Sequence, residues 1–326
     1  MPGASPAAPD WGPARSGSCA QRILTDVRFW SYDRHPFPLP EGHRFPAGKY
    51  RMLREAVEAE GLGEVWHAGP VPWSQLEAIH APGYLETLRE GTMTRRAERA
   101  LGLPWSRELV ERARRSVQAT VQAAGDALDD GLGMNLGGGT HHAGYEQARG
   151  YCLFNDVPVT VAALRAAGRL GRALVVDCDV HQGDGTAELL AADPDTFTLS
   201  VHGGANYPFK RATSDLDVDL RTGTGDDAYL DALSTALDRA IPAARPELVV
   251  FLAGADPWEG DRLGRLSLTK PGLAARDALV LDAVAAAGAP VCVCLAGGYA
   301  PDIRDTVEIN LATARLVAAR SQGVVV

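Results

Sequence analysis

Short apolar runs alternate along the chain with longer stretches in which apolar residues return at three- and four-residue steps. The runs are LGMNL (132–136), ALVVDC (173–178), TFTLSV (196–201), ELVVFLA (247–253) and PVCVCLA (290–296). Each is too short for a helix and most are rich in β-branched residues, so they predict strands. Helical periodicity predicts helices over 44–60, 106–130, 155–169, 226–240, 272–287 and 301–319. Such alternation predicts an α/β fold, a mostly parallel sheet between helical layers. No repeat or long linker interrupts it. The reading is a single domain over 23–326 behind a flexible leader over 1–22, with surface loops at the Pro-rich stretches 36–46 and 68–73.

Every apolar run ends in glycine and titratable residues: NLGGGTHH, DCDVHQGDG, SVHGG, LAGADP and LAGGY. In open parallel sheets ligands bind beyond the carboxyl ends of the strands, so these ends are expected to converge on one crevice.

Asp177, Asp179 and His181 are spaced by two, a spacing that sends all three side chains to one side of an extended chain. Carboxylates gathered there without a cation lose several kcal/mol each to desolvation, so metal ligation is the cheaper explanation. The competing reading makes Asp177 a helix cap and His181 a satisfied core histidine. Asp256, after ELVVFLAGA, offers a third ligand or a helix N-cap. Two carboxylates and one imidazole leave a coordination position open, as catalytic sites do. His141 and His142 follow three glycines that supply a turn, and a tandem pair suits two-step acid/base work if a carboxylate sets each tautomer. Asp177 and Asp184 are available for that. Tyr299 can donate to a developing oxyanion or simply pack over a helix start.

Composition narrows the partners. The chain has 326 residues, 46% of them hydrophobic and 22% charged, with a net charge of −9. With no Lys/Arg run, nucleic acid and anionic membranes are not expected as partners. No apolar run approaches the ~18 residues of a membrane span, and the opening segment has no signal-peptide core, which predicts a cytoplasmic protein. Five cysteines without a Cys-x-x-Cys pair read as reduced thiols and exclude a closed thiolate metal site.

GGGTHHAG, GYCLFNDV, VVDCDVHQGDGTA, SVHGGANYPF, AGADPWEGDRLG and LAGGYA, in that order over about residues 132–300, resemble the motifs of the histone deacetylase family of metal-dependent deacylases. The stretch AGADPWEGDRLGRLSLTKPGLAARD is more similar to the class IV branch and its bacterial relatives than to class I. The resemblance implies an arginase/deacetylase-type fold and hydrolysis of the amide of an N-acylated amine, either an acyl-lysine peptide or a small acylated amine. It implies Asp179, His181 and Asp256 as metal ligands, with Zn²⁺ the default and Fe²⁺ or Co²⁺ compatible with the same donors. His141 and His142 match the histidine pair, with Asp177 and Asp184 behind them. Tyr299 matches the tyrosine that binds the acyl oxygen. Metal and Tyr299 would polarise the carbonyl while His142 moves the proton.

Gly150, Tyr151 and Cys152 match the loop lining the acyl-lysine tunnel, where relatives usually carry Phe in place of Tyr151. The opposing aromatic is Phe209 or Tyr207. A K⁺ ion is implied beneath the metal, on backbone at Asp177, Asp179, His181 and Val201 and on the Ser200 hydroxyl. The chain departs from relatives at Gln182, where class I has a second His, and at Ala296, where several have Gly. The rim Asp that grips substrate backbone in class I has no counterpart. Two rival readings stand beside this one: a binuclear manganese ureohydrolase on the same fold, and a catalytically silent acyl-lysine binding module. Nothing in the sequence fixes the oligomeric state.

Overall fold

The computed structural model describes residues 27–322. The expected leader over 1–22 and Cys19 lie outside the described residues. Five strands form where the apolar runs predict them: β3 (Leu132–Asn135), β4 (Ala173–Asp177), β5 (Thr196–Gly203), β7 (Leu248–Leu252) and β8 (Val291–Cys294). Three more complete the sheet, β1 (Arg28–Ser31), β2 (Glu64–His67) and β6 (Leu216–Leu220). The order is β2-β1-β3-β8-β7-β4-β5-β6, and every pairing is parallel. The three strands that the apolar pattern does not announce stand at the two sides of the sheet. The outermost strands, β2 and β6, are partly solvated, so β6 reads LDVDL and never becomes a continuous apolar run, while β1 is buried but only four residues long.

Alternate residues of each strand feed opposite faces. Leu174, Val176, Val249, Phe251, Val291 and Val293 pack under α1 (Gly48–Ala59), α8 (Asp226–Ala244), α9 (Lys270–Ala286) and α10 (Ile303–Ser321). Val175, Val250, Leu252, Cys292 and Cys294 pack under α5 (Arg107–Asp130) and α6 (Asp156–Ala166). α5 is apolar on two sides. Its Ala119, Ala123 and Ala127 let it lie close on the sheet, while Leu109, Val117 and Val121 meet an outer cluster from α2 (Trp73–Glu77), α3 (Pro82–Glu90) and α4 (Arg95–Leu101).

The six predicted helices appear close to their expected limits, except that α8 continues beyond 240 to Ala244 because Pro242 falls in its exposed last turn. The short helices α2, α3, α4 and α7 (Asp184–Leu190) carry too few turns to show periodicity. The described cysteines, Cys152, Cys178, Cys292 and Cys294, are buried free thiols. Among the described residues no helix is long and apolar enough to cross a membrane.

Arg276 and Asp277 form a charged pair wholly inside the fold. Arg276 on α9 pairs with Asp277 at 2.7 Å and donates to the carbonyls of Gly254 (2.6 Å) and Cys178 (3.3 Å), at the ends of β7 and β4. Asp277 accepts a further bond from the Thr313 hydroxyl at 2.6 Å. Removing the guanidinium strands a buried carboxylate. Arg276→Met is therefore expected to lower unfolding free energy by ~3–5 kcal/mol, and Arg276→Met/Asp277→Asn together to recover part of it. Urea unfolding of the variants measures this, and a loss below ~1 kcal/mol would show the pair to be dispensable.

Candidate active site

The five strands announced by the apolar runs are neighbours, β3-β8-β7-β4-β5, so their carboxyl ends open side by side. Above them lies a cavity of about 410 Å³ lined by His141, His142, Asp179, His181, Gly297 and Tyr299 among others.

β4 ends at Asp177, so the pleat does not reach Asp179 and His181. Turn-like hydrogen bonds replace it: the Asp179 N–H donates to Asp177 Oδ1 (3.0 Å) and the His181 N–H to Asp179 Oδ1 (2.9 Å). The two-residue spacing thus brings Asp179 and His181 together by a different route, while Asp177 turns to His141. Asp256, from the loop after β7, completes a group whose ligand atoms all lie within 4.8 Å of one another. His181 Nδ1 is 2.8 Å from Asp179 Oδ1 and 3.4 Å from Asp256 Oδ2. Asp256 Oδ2 is buried and lacks a hydrogen-bond partner.

The electrostatics ask for a cation. Burial by itself lowers the His181 pKa, yet its contacts with Asp179 and Asp256 outweigh this and raise it to about 10. Burial and the charge of Asp179 push Asp256 up to about 6. The ligand atoms face each other closely because backbone lies against them: a Cβ on Gly297 would sit 1.9 Å from Asp256 Oδ2. The oxygen and nitrogen donors, their spacing and the orphaned carboxylate oxygen fit a divalent ion.

Beside this group the His141 and His142 ring centroids are 4.1 Å apart, and each ring has its own carboxylate. His141 Nδ1 donates to Asp177 at 2.7 Å and His142 Nδ1 to Asp184, the first residue of α7, at 2.6 Å. The two rings differ in charge. Burial disfavours a proton on both, but Asp177 and Asp179 lift His141 to about 9, while burial and the positive His141 lower His142 to about 4.

Residues 43–314 match the histone deacetylase domain. The chain belongs to the histone deacetylase family. It is 41% identical over 273 residues to an uncharacterized protein of Picosynechococcus sp., covering 83% of this chain and 91% of that one. It is 30% identical over 308 residues to histone deacetylase 2 of Arabidopsis thaliana, covering 90% and 79% respectively. The solved structure of a histone deacetylase homologue from Aquifex aeolicus superposes with a TM-score of 0.78 at 22% identity, over 93% of this chain and 85% of that one, and shares the fold.

Of the other sequence-predicted residues of this deacetylase-family site, Gly150, Tyr151, Cys152, Tyr207 and Phe209 line the cavity, whereas Ser200 and Val201 lie outside its lining. Gly150, Tyr151 and Cys152 form a tight turn in which Arg149 and Cys152 exchange backbone hydrogen bonds, and Tyr151 takes φ +65°. The Tyr151 ring faces Phe45 (5.2 Å) and Tyr299 (5.5 Å). Burial raises the Cys152 thiol and keeps it neutral. The two aromatic candidates separate: Tyr207 stands edge-on to His142 at 5.0 Å, whereas Phe209 is 86% exposed at the mouth. Ser200 and Val201 lie on β5 beside Asp177, where the Ser200 hydroxyl bonds His202 Nδ1 at 2.9 Å. Gln182, the departure from class I, donates to Asp217 and to the Ala212 carbonyl and stays out of the ligand group.

Three residues escaped the sequence reading. Asp261 accepts from the N–H groups of Tyr299 (2.6 Å), Leu263 (2.8 Å) and Gly264 (3.1 Å), so a buried carboxylate fixes the backbone that carries Tyr299. Lys49, buried on α1, donates to the Gly298 carbonyl at 3.3 Å and lies 5.5 Å from the Tyr299 ring centre. Arg149 donates to the His142 carbonyl (2.6 Å) and lies 3.3 Å from Asp184. Asp261 sits inside the AGADPWEGDRLG motif, but all three partnerships span folded distance that no spacing rule reports.

A titration of the metal-free chain with Zn²⁺ or Co²⁺ should find one tight site. Asp256→Ala should lose it while remaining folded, and Asp177→Asn, whose side chain faces His141, should keep it. Calorimetry and metal analysis check both, and stoichiometric metal in Asp256→Ala removes Asp256 from the ligand group.

Proposed function

We propose that the chain hydrolyses the amide bond of an N-acylated amine, an acyl-lysine or a small acylated amine, with Asp179, His181 and Asp256 holding a divalent ion. The observation that carries this reading is the pair of carboxylate-backed imidazoles beside a three-ligand group. An inert binding module has no need of that arrangement. When bound, the ion supplies a Lewis acid for the acyl oxygen and activates water, and Zn²⁺, Fe²⁺ and Co²⁺ all suit these donors. Among the described residues there is one such ligand group, which favours a mononuclear site over the paired manganese ions of a ureohydrolase.

The side chains divide the remaining work. Asp184 holds the proton on His142 Nδ1, so Nε2 is free to accept a proton from the attacking water and later to return it to the leaving amine. His141, kept positive by Asp177 and Asp179, stabilises the negative charge that grows on the acyl oxygen. Tyr299 donates its hydroxyl to that oxygen, and burial, which raises its pKa well above the usual value, keeps the proton in place. Gly150, Tyr151, Cys152 and Tyr207 form the walls around the acylated stem, and Phe209 stands at its entrance. A K⁺ ion on the Asp177, Asp179, His181 and Val201 backbone and the Ser200 hydroxyl would stiffen the floor.

Two measurements test the roles with an acylated fluorogenic lysine and metal-loaded enzyme. His142→Ala should reduce kcat by ~10²–10⁴, as for a lost acid/base group, and His141→Ala by less. A reversed order would exchange their roles. Asp261 is a positioning residue acting through Tyr299, so Asp261→Ala should lower kcat about tenfold, ~1.4 kcal/mol, with little change in KM. In a Tyr299→Phe background the same substitution should cost almost nothing. Equal losses in both backgrounds would mean that Asp261 acts elsewhere.

A further inference from the structure

The mouth of the cavity carries a positive charge of its own, apart from the group of Asp179, His181 and Asp256. Asp179 is the sole carboxylate residue among those lining the cavity, and it belongs to the metal ligands. Arg265 also lines the cavity, is exposed, and among the described residues its guanidinium has no hydrogen-bond or carboxylate partner. The nearest carboxylate along this loop, Asp261, is engaged by the N–H groups of Tyr299, Leu263 and Gly264. Leu263 and Arg262 are exposed on the same loop, and Phe209 and Lys210 on another. In a chain of net charge −9 a cationic mouth does not follow from composition.

The backbone under Arg265 is anchored to the floor. Gly264 donates its N–H to Asp261, and a Cβ at Gly264 would lie 1.9 Å from the carbonyl oxygen of Asp256, so this loop packs directly on a metal-ligand residue. On the other side Leu266 is buried, and the Arg265 carbonyl accepts from the Gly223 N–H at 2.8 Å. The guanidinium is therefore free while its Cα is held, which suits a fork that grips a planar anion in two places. A polycationic tail or an acylated polyamine would bring positive charge to this mouth and find no carboxylate waiting.

We propose that Arg265 forms an anion subsite at the mouth and that the substrate is an N-acyl amine carrying a carboxylate at the far end of its amine part. The chemistry is that of an Nε-acyl-lysine with a free α-carboxylate, whether a single amino acid or the last residue of a peptide. This rests on the amide-hydrolase reading above and adds the substrate class to it.

The test compares Nε-acetyl-lysine, capped at its α-amine, as the free acid and as the α-carboxamide. A short peptide ending in acetyl-lysine, as acid and as amide, and N-acetylspermidine complete the panel for the metal-loaded full chain. Low-salt kcat/KM should favour each acid over its amide by about tenfold, should shrink with added salt, and should be lowest for the polyamine. Arg265→Gln should bring acid and amide level, and Arg265→Glu should reverse their order. The better of the two acids tells a free amino acid from a chain end. Calorimetric binding of the same acid and amide to the Tyr299→Phe variant separates the two levels of inference. Tighter binding of the acid without turnover of any substrate by the native chain would keep the subsite and overturn the hydrolase. Equal rates and equal affinities for acid and amide, or a preference that survives Arg265→Gln, would overturn the subsite.

Discussion

Negative charge gathered away from water governs this molecule. Asp177, Asp179 and Asp256 are each nearly or wholly buried, and they meet where β4 and β7 end. Unanswered, each would cost several kcal/mol in desolvation. The fold answers locally by holding positive charge on His141 and His181 against the pull of burial. It answers incompletely, since Asp256 is driven up to about 6 and one of its oxygens has no partner. The oxygen and nitrogen donors gathered there fit a divalent ion.

Holding such a group together demands a stiff base. The parallel sheet supplies it by aligning β4 with both β5 and β7, so Asp177 lies level with Ser200 and Leu252. Arg276 ties the same two strand ends from below, through the carbonyls of Cys178 and Gly254. Asp179 and Asp256 therefore hang from two braced positions. Tyr299 is fixed differently, through a two-glycine segment whose conformation is set by Asp261 and Lys49. The group of Asp179, His181 and Asp256 is thus built onto the sheet ends, whereas Tyr299 hangs from a loop.

The same loop joins floor and rim. Asp261 receives N–H groups from Tyr299 and from Leu263 and Gly264, so the segment that presents Leu263 and Arg265 to the entrance is bonded to the one that presents Tyr299 to the reaction. The mouth of the cavity and the Tyr299 segment therefore share one short stretch of backbone.

By itself the sequence determined the alternation of strands and helices, because continuous apolar runs mark strands buried on both faces, and the five central strands are of that kind. It also marked residues that the structure gathers at the strand ends, since Asp177 closes one of those runs and Asp179, His181, Asp256 and the paired His141 and His142 follow such runs. Strands β1, β2 and β6 and the short helices were illegible: a strand of four or five residues that includes charged or polar positions, and a helix of one or two turns, carry no distinctive period. Only the tertiary structure decided that Asp179 and His181 meet through a turn beyond β4, that Tyr207 and not Phe209 packs against His142, and that Asp261, Lys49 and Arg149 hold the working side chains. Apart from the Asp179–His181 turn and the Arg149–His142 bond, those contacts join residues dozens to hundreds of positions apart. Their energy comes from burial and hydrogen bonding, which exist only once the chain has closed on itself.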